Sequence, residues 1–235
     1  MVRMVRDTFH GFRERPHYDP VELENMFEKI VADYLKKKYG KAEFPFKTDD
    51  ITTLIERDVS DLDQYADLSK YGPKVEGVTE FFRAGKPKVL IAETIHRYEN
   101  RLRTTLTHEY GHVKLHSYLF AMGQRTLNID ANQSPKAIYC KRDTMIAAHR
   151  VDWMEWQAGF VSGVCLMPKS YVHSTVGPIR DRRGIYGVVD PHSEAGRQII
   201  DAVVDRFQVS RDAATVRLKI LGFLGAETAI RSLFA

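Results

Sequence analysis

Three histidines recur at four-residue intervals in the stretch LTHEYGHVKLH, Leu106–His116. Residues four apart on an α-helix are rotated by only about 40° around its axis and separated by about 6 Å along it, so His108 and His112 face the same way. Two imidazoles placed like this can bind one Zn²⁺ ion at about 2.0–2.1 Å. Glu109 is rotated by about 100° from His108, which makes it a poor ligand but a suitable proton acceptor beside the metal. This H-E-x-x-H pattern predicts a hydrolytic zinc site.

His116 continues the four-residue spacing, but we expect it not to bind the metal. It lies about 12 Å along the helix axis from His108 and about 80° around it, so the three histidines cannot converge on one ion from an unbroken helix. A structural role near the helix end, in packing or capping, is expected instead. Gly111, inside the same helix, costs about 1 kcal/mol relative to Ala, and close packing or ligand access would explain it.

The third protein ligand must come from elsewhere, because catalytic zinc sites have three protein ligands and one open position. The candidates downstream are His149, Asp152, Glu155 and His173. Glu155 is favoured, because the helix expected from about residue 151 to 167 is apolar on most sides. A carboxylate in such surroundings is more often a ligand or part of a buried pair than a solvated group. Asp152 is the runner-up as a ligand, or it could orient a ligating histidine through a hydrogen bond.

Hydrolysis would also need a group that stabilises the developing oxyanion. The side chains with suitable donors are Tyr110, His149, Tyr171 and His173. The sequence does not choose among them, and each of these residue types is more often structural than catalytic.

Several further elements are needed to position this motif. Asp19 and Pro20 are typical of a helix start, and apolar residues at helical spacing continue from there to Gly40. A second helix is expected over about Thr48–Arg57, and the helix that carries the motif begins near Asn100. The strings VEGVTEFF and KVLIAET, separated by RAGKP, predict a β-hairpin or short meander.

The remaining segments are expected to be connections and C-terminal helices. We expect loops over Asp58–Pro73 and in the basic string VGPIRDRRGIYG, and a long connection without clear period from 121 to 150. Pro168 should end the helix that carries Glu155. The strings HSEAGRQIIDAVVDRFQ and VSRDAATVRLKILGFL predict two further helices, the second capped by Ser210.

Two of these helical strings are familiar when they are taken together. RTTLTHEYGHVKLH and EWQAGFVSGVCLMP, followed by VVDRFQVSRDAATVRLKILG, resemble the ImmA/IrrE-type zinc metallopeptidases of bacteria and their mobile elements. Arg103–His116 match that family's HE-x-GH-x-x-LH helix, and Glu155, Ala158 and Leu166–Pro168 match its E-x-x-A…L-M-P helix. The resemblance covers roughly residues 20 to 225.

The resemblance implies that His108, His112 and Glu155 bind Zn²⁺ in a gluzincin-like arrangement and that Glu109 is the catalytic base. It also implies site-specific cleavage of a helix-turn-helix repressor, which would derepress stress or mobile-element genes. The sequence departs from the family at Tyr110, where Leu is usual, in the long connection after residue 116, and in a basic N-terminal segment. These departures bear on the substrate and its docking surface.

The patterns together predict an α+β fold. It would contain a zincin-like metallopeptidase core, with a small β-sheet packed on the HExxH helix, and a C-terminal helical appendage that resembles a helix-turn-helix. The expected organisation is a loose basic tail over residues 1–18, a metallopeptidase domain over 19–175 and the C-terminal helical region over 176–235.

The expected function is that of a zinc-dependent endopeptidase acting on a regulatory DNA-binding protein. The alternative is a DNA-binding or scaffold regulator whose zincin core is structural or inactive. Glu109 favours the enzyme, since a structural site has no use for a base. The two C-terminal helices carry basic residues that could make a weak contact with DNA: Arg206, Arg211, Arg217 and Lys219. Nearby aspartates reduce the net positive charge, which favours a role in packing or in repressor docking.

Composition places few other limits on function. The chain has 235 residues, 43% hydrophobic and 28% charged, which is ordinary for a globular protein, and its net charge of +4 is only mildly basic. Cys140 and Cys165 form no disulfide framework, which fits a reducing interior. No apolar run reaches the roughly 18 residues that a membrane span needs, and no signal-peptide core is evident. We therefore expect a cytoplasmic protein without membrane contact.

Overall fold

A computed structural model of the protein describes residues 3–82, 84–121, 136–141 and 152–225, with the backbone alone for 121 and 136–141. The described chain has a mixed α+β fold, as predicted. The helices are α1 (Pro20–Tyr39), α2 (Thr48–Glu56), α3 (Glu99–Ala121), α4 (Trp153–Leu166), α5 (Lys169–Arg183), α6 (Glu194–Phe207) and α7 (Arg211–Ile220). The strands are β1 (Arg3–Arg6), β2 (Glu14–His17), β3 (Asp61–Ala66), β4 (Val75–Phe81), β5 (Lys88–Ala92) and β6 (Lys136–Lys141).

The helix that carries the HExxH motif, α3, lies against a four-stranded sheet with the order β3-β5-β4-β6. The predicted hairpin is confirmed, because β4 and β5 pair antiparallel, with Val78 opposite Leu90. Strand β6 pairs antiparallel with the other edge of β4, and β3 pairs parallel with β5. The second helix with site residues, α4, packs along α3 on its other side. Thus α3 is enclosed between the sheet and α4.

The predicted loop over Asp58–Pro73 is wrong in part, since Asp61–Ala66 forms strand β3. Its side chains are mostly exposed or half-buried, because β3 lies at an edge of the sheet. A strand of this kind has the polar composition of a loop, and only its pairing with β5 reveals it. Similarly, β6 lies within the segment where no regular structure was expected.

The basic loop predicted in the string VGPIRDRRGIYG is also wrong for its first two thirds, because α5 continues through Arg183. The buried residues Val172, Val176 and Ile179 recur at helical spacing on this element. Burial of this stripe outweighs the helix-breaking tendency of Pro178, which lies inside the helix. The expected domain boundary at residue 175 falls within this helix.

The N-terminal segment is not the loose tail that was predicted. Strands β1 and β2 pair antiparallel, and the carboxylate of Asp7 between them accepts hydrogen bonds from the backbone of Phe9 and Phe12 and from the indole of Trp153 on α4. Burial opposes the charge of Asp7, but these hydrogen bonds more than offset it and hold the pKa of the carboxyl below its usual value. The segment is thereby fixed to the first turn of α4.

The largest hydrophobic core joins the site helices to the C-terminal helices. It includes Leu106 and Val161 between α3 and α4 and Phe207 and Leu218 on the last two helices, all fully buried. The buried guanidinium of Arg103 on α3 donates to the carbonyls of Phe46 and Phe207. The C-terminal helices are therefore part of the support of α3. Among the described helices, none is both long and apolar enough to cross a membrane.

Candidate metal centre

Close contact between α3 and α4 brings the candidate ligands together. A Cβ atom built on Gly111 would lie 2.9 Å from Cα of Ala158 and 3.3 Å from Cβ of Val161. Those separations are too short for any side chain, so glycine at this position allows the two helix backbones to approach. The close-packing explanation for Gly111 is thus confirmed, and it places the motif of α3 directly opposite Glu155 on α4.

Two imidazoles and one carboxylate converge between these helices. The Nε2 atoms of His108 and His112 are 3.1 Å apart. Glu155 presents Oε2 at 3.3 Å from Nε2 of His108 and Oε1 at 3.1 Å from Nε2 of His112. Both histidines are fully buried and Glu155 is 6% exposed. Among the described residues, these three form the group that could hold a metal ion.

The donor set fits a zinc ion in chemistry and in spacing. Imidazole nitrogen and carboxylate oxygen are ordinary zinc ligands, and ligands about 2.0–2.1 Å from a tetrahedral zinc lie about 3.4 Å from one another. The separations of 3.1 and 3.3 Å within this group are close to that edge length. If hydrogen bonds alone held the three groups at these distances, Nε2 of at least one histidine would have to carry a proton. A cation bound between them would hold them without such a proton.

The charges within the group support a cation site. Burial opposes ionisation of Glu155, but hydrogen bonds from His108 and His112 hold the pKa of its carboxyl far below the usual value. Burial also opposes a charge on His112, yet its bond to Glu155 raises the pKa of the imidazole. A buried carboxylate thus draws positive charge into this site, which a metal ion would supply.

Glu109 lies beside this group without belonging to it. It is fully buried, and its Oε2 accepts a 2.5 Å hydrogen bond from Oγ1 of Thr79 on β4. Its Oε1 has no hydrogen-bond partner within the described part of the chain. Burial raises the pKa of this carboxyl, and the nearby His112 and His108 and the Thr79 hydroxyl oppose the rise. Its environment therefore favours taking up a proton.

The place for the Glu109 carboxylate is made by a glycine in the neighbouring strand. Residues two apart in a strand face the same side, so Gly77 and Thr79 both face α3. A Cβ on Gly77 would lie 2.9 Å from Cδ of Glu109 and 2.9 Å from Cγ2 of Thr105. The missing side chain thus leaves the space that the carboxylate occupies.

His116 contacts a candidate ligand but does not join the ligand group. Its Nδ1 lies 3.0 Å from Nδ1 of His112, and its Nε2 lies 3.0 Å from Oε1 of Gln157 on α4. It is fully buried, and burial together with the nearby His112 lowers its pKa well below the usual value, so the ring is neutral. The structural role expected for His116 is thus a contact behind His112.

Asp152 lies at the N-cap of α4 and not among the converging donors. Its Oδ1 accepts from the backbone N–H of Glu155 at 3.3 Å and lies 2.9 Å from Nε2 of His10. The histidine that it contacts is thus on the N-terminal segment and is not a candidate ligand. Asp152 supports the helix end that carries Glu155, and the structure favours Glu155 over it as the third donor.

Two of the oxyanion candidates lie on α5. The ring of Tyr171 packs against Phe44, with 4.7 Å between centroids. The ring of His173 lies 4.7 Å from that of Phe223, and burial lowers its pKa. These contacts give both residues packing roles, and neither belongs to the converging donor group.

Of the other two candidates, Tyr110 packs away from the donor group. The ring of Tyr110 is buried edge-on to Phe27 of α1, at 6.2 Å between centroids, and burial raises its pKa. His149 lies outside the described residues. The described structure therefore identifies no oxyanion-stabilising side chain among the predicted set.

Thr79, Gly77 and Gln157 are the site residues that the sequence did not reveal. A glycine inside a β-branched strand signals close approach of another group, and this signal was available at Gly77. Thr79 and Gln157 carry no such signal, because their partners lie 30 and 41 residues away in the chain.

Comparisons with known proteins add no relative to this site. The sequence matches no protein-family model and no curated protein. What the fold itself provides is a buried His-His-Glu cluster that could hold a metal ion, with a buried glutamate adjacent in sequence to the first histidine.

Proposed function

We propose that the protein is a zinc-dependent endopeptidase with a zincin-like core of the ImmA/IrrE type. One observation carries this proposal: Glu109 is a fully buried carboxylate that stands beside a three-donor group without contributing a ligand. Burying a carboxylate without a pairing cation costs free energy, and a purely structural metal site would gain nothing from it. Three protein donors also leave one position of a tetrahedral ion open.

The described residues suit peptide hydrolysis. A zinc ion in this group would supply Lewis acidity, which polarises a carbonyl and makes water easier to deprotonate. Glu109 would accept the proton of the attacking water at Oε1, the oxygen without a partner in the described chain, while Thr79 holds Oε2. The same carboxyl would then give the proton to the leaving amine. Its raised pKa supports both transfers.

The proposed substrate is a helix-turn-helix repressor. Support comes from the two strings that resemble the repressor-cleaving family, Arg103–His116 and Glu155–Pro168, which the fold brings face to face on α3 and α4. A cytoplasmic location would suit such a substrate, and Cys165, a buried free cysteine, is compatible with a reducing compartment.

The alternative, a DNA-binding or scaffold regulator, receives less support from the C-terminal helices. Arg217 is buried in an ion pair with Glu24 of α1, and Arg211 pairs with Asp201 of α6. Two of the four basic residues that suggested DNA contact are therefore engaged within the protein. This arrangement favours a packing role for α7, and we retain enzymatic function as the proposal.

The decisive experiment co-expresses the full chain with a helix-turn-helix repressor, beginning with the product of the neighbouring gene, because proteases of the family it resembles are often encoded beside their targets. Wild-type protein should cleave the repressor and contain zinc. Glu109→Gln should retain zinc and lose cleavage, because the amide cannot take up the proton; Glu93→Gln, at an exposed position, is the matched control. Cleavage by Glu109→Gln would refute the mechanism. Glu155→Ala should lose zinc, and unchanged zinc content would refute its role as a ligand.

A further inference from the structure

We propose that His116 and Gln157 hold His112 in the one tautomer that can bind the metal. The inference rests on the metal centre of the proposed function and assigns His116 and Gln157 as positioning residues. It concerns the side of His112 that faces away from the donor group. There His116 of α3 contacts Gln157 of α4. Neither residue belongs to the group of three donors.

The two nitrogens of His112 face different partners. Nε2 lies 3.1 Å from Nε2 of His108 and 3.1 Å from Oε1 of Glu155, so it is the nitrogen that points into the donor group. Nδ1 lies 3.0 Å from Nδ1 of His116. A neutral imidazole has one N–H donor and one lone pair, so fixing the role of one nitrogen fixes the other.

Proton positions follow from this constraint. Ligation through Nε2 requires a lone pair there, so the proton of His112 must be on Nδ1 and must be donated to Nδ1 of His116. His116 then accepts at Nδ1 and carries its own proton on Nε2. That proton is donated to Oε1 of Gln157, which lies at 3.0 Å and can only accept. Both hydrogen bonds are satisfied with two neutral rings and no further proton.

The reverse order of protons would disable the ligand. A proton on Nδ1 of His116 would be donated to Nδ1 of His112, and the proton of His112 would then be on Nε2, where the metal must bind. The amide oxygen of Gln157 disfavours this order, because Nε2 of His116 would then present a lone pair to an acceptor at 3.0 Å. Partners behind a ligating histidine commonly fix its tautomer in this way.

Burial makes the relay selective. His116 is fully buried and Gln157 is 2% exposed, and the ring of Trp153 lies edge-on to His116 at 5.4 Å between centroids. Bulk water therefore has little access to replace either partner. Gln157 is also two residues from Glu155, so α4 supplies both a metal donor and the group that ends the relay. A shift of α4 would affect both at once.

The test compares full-length variants at Gln157. Gln157→Met keeps the approximate length of the side chain and removes the acceptor, whereas Gln157→Glu keeps an acceptor at the same place. Ser162→Ala is the matched control, because it removes hydrogen bonds between the same helices without contact with His112: Oγ of Ser162 lies 2.8 Å from Oγ1 of Thr107 and donates to the carbonyl of Thr104 at 3.1 Å. Affinity for Zn²⁺ is measured by competition with a chelator of known affinity.

We expect Gln157→Met to weaken Zn²⁺ binding by about 10–100-fold, the usual cost of losing a partner behind a ligand. Gln157→Glu should stay within about tenfold of wild type on the same scale, and Ser162→Ala should match wild type. Equal affinity for wild type and Gln157→Met would overturn the proposal. An equal loss in Gln157→Met and Ser162→Ala would do so too, since it would indicate only looser packing of the helices.

A second measurement reads the tautomers directly. Long-range ¹H–¹⁵N spectra of the zinc-loaded wild-type protein should show the proton of His112 on Nδ1 and that of His116 on Nε2. A proton on Nδ1 of His116 would refute the relay. In Gln157→Met the Nε2 preference of His116 should be lost, while Ser162→Ala should keep it.

Neither measurement uses peptide cleavage, so the relay and the peptidase can fail separately. Zinc binding with the expected tautomers but without cleavage of any repressor would count against the enzyme and leave the relay supported. Zinc binding and cleavage that are both unaffected in Gln157→Met would count against the relay alone. A wild-type protein that binds no Zn²⁺ would refute the metal centre and the relay with it.

Discussion

Thr79 on β4 donates a 2.5 Å hydrogen bond to Glu109 on α3, across the interface between the sheet and the motif helix. It is the hydrogen bond that orients the proposed base, because the other carboxylate oxygen has no partner among the described residues. The strand thus influences both the orientation of Glu109 and the balance between its two protonation states.

Thr79→Val should raise the pKa of Glu109 further. The pKa is already raised by burial, and the Thr79 hydroxyl is one of the groups that oppose the rise by stabilising the carboxylate. Since the base must be ionised, the acid limb of a cleavage profile should move to higher pH. A ¹³C-detected titration of the Glu109 carboxyl measures the shift without a substrate. Thr104→Val, whose hydroxyl bonds within its own helix, should leave it unchanged; an unmoved pKa in Thr79→Val would contradict the prediction.

Gly77→Ala should separate metal binding from catalysis. The new methyl group would enter the space of the Glu109 carboxylate, whereas the three metal donors lie on α3 and α4 and not on β4. We expect unchanged zinc content and a loss of cleavage of about 100-fold or more, as is typical when a general base is displaced. Gly177→Ala, which meets no atom within 4 Å, is the control. Full activity of Gly77→Ala would show that the carboxylate can move freely.

Gly111→Ala and Gly163→Ala should have opposite effects on stability. Both variants replace a helical glycine by alanine, and this replacement by itself stabilises a helix by about 1 kcal/mol. At Gly111 the methyl group would meet the backbone of Ala158 at 2.9 Å, so we expect a net loss of about 1–3 kcal/mol in the free energy of unfolding. At Gly163 the nearest atom is 3.7 Å away, on the side chain of Arg217. Urea denaturation measures both, and equal effects would contradict the close contact of α3 and α4.

Two arginines of α7 should differ strongly in their contribution to stability. Arg217→Ala leaves the carboxylate of Glu24 buried without its partner and removes a 2.9 Å hydrogen bond to the carbonyl of Met167, so we expect a loss of about 3–5 kcal/mol. Arg211→Ala breaks an exposed pair with Asp201 and should cost about 0–1 kcal/mol. Chemical denaturation decides between them. A small effect at Arg217 would show that α7 is loosely attached.

Elements with strong local signals were predicted well from the sequence. The start of α1 follows Asp19 and its end precedes Gly40, whose φ of 77° suits glycine, and α3 begins at Glu99, one residue before the expected position. Periodic burial and end signals are local properties, so they can be read without knowing the neighbours. Strand β3 was missed because its composition is that of an exposed edge. Helix α5 was not predicted, and Gly177 and Pro178 in its second half suggested a loop.

For the candidate site, the sequence by itself determined which side chains share a helix face. The spacing of His108 and His112 follows from helix geometry alone, and the apolar surroundings of Glu155 indicated a buried carboxylate. Only the tertiary structure decided how close these groups lie, because their separation depends on the contact of α3 with α4. The same holds for Thr79 behind Glu109 and Gln157 behind His116. Hydrogen-bond partners on separate elements produce no periodic pattern in the sequence, so they can be identified only in the folded structure.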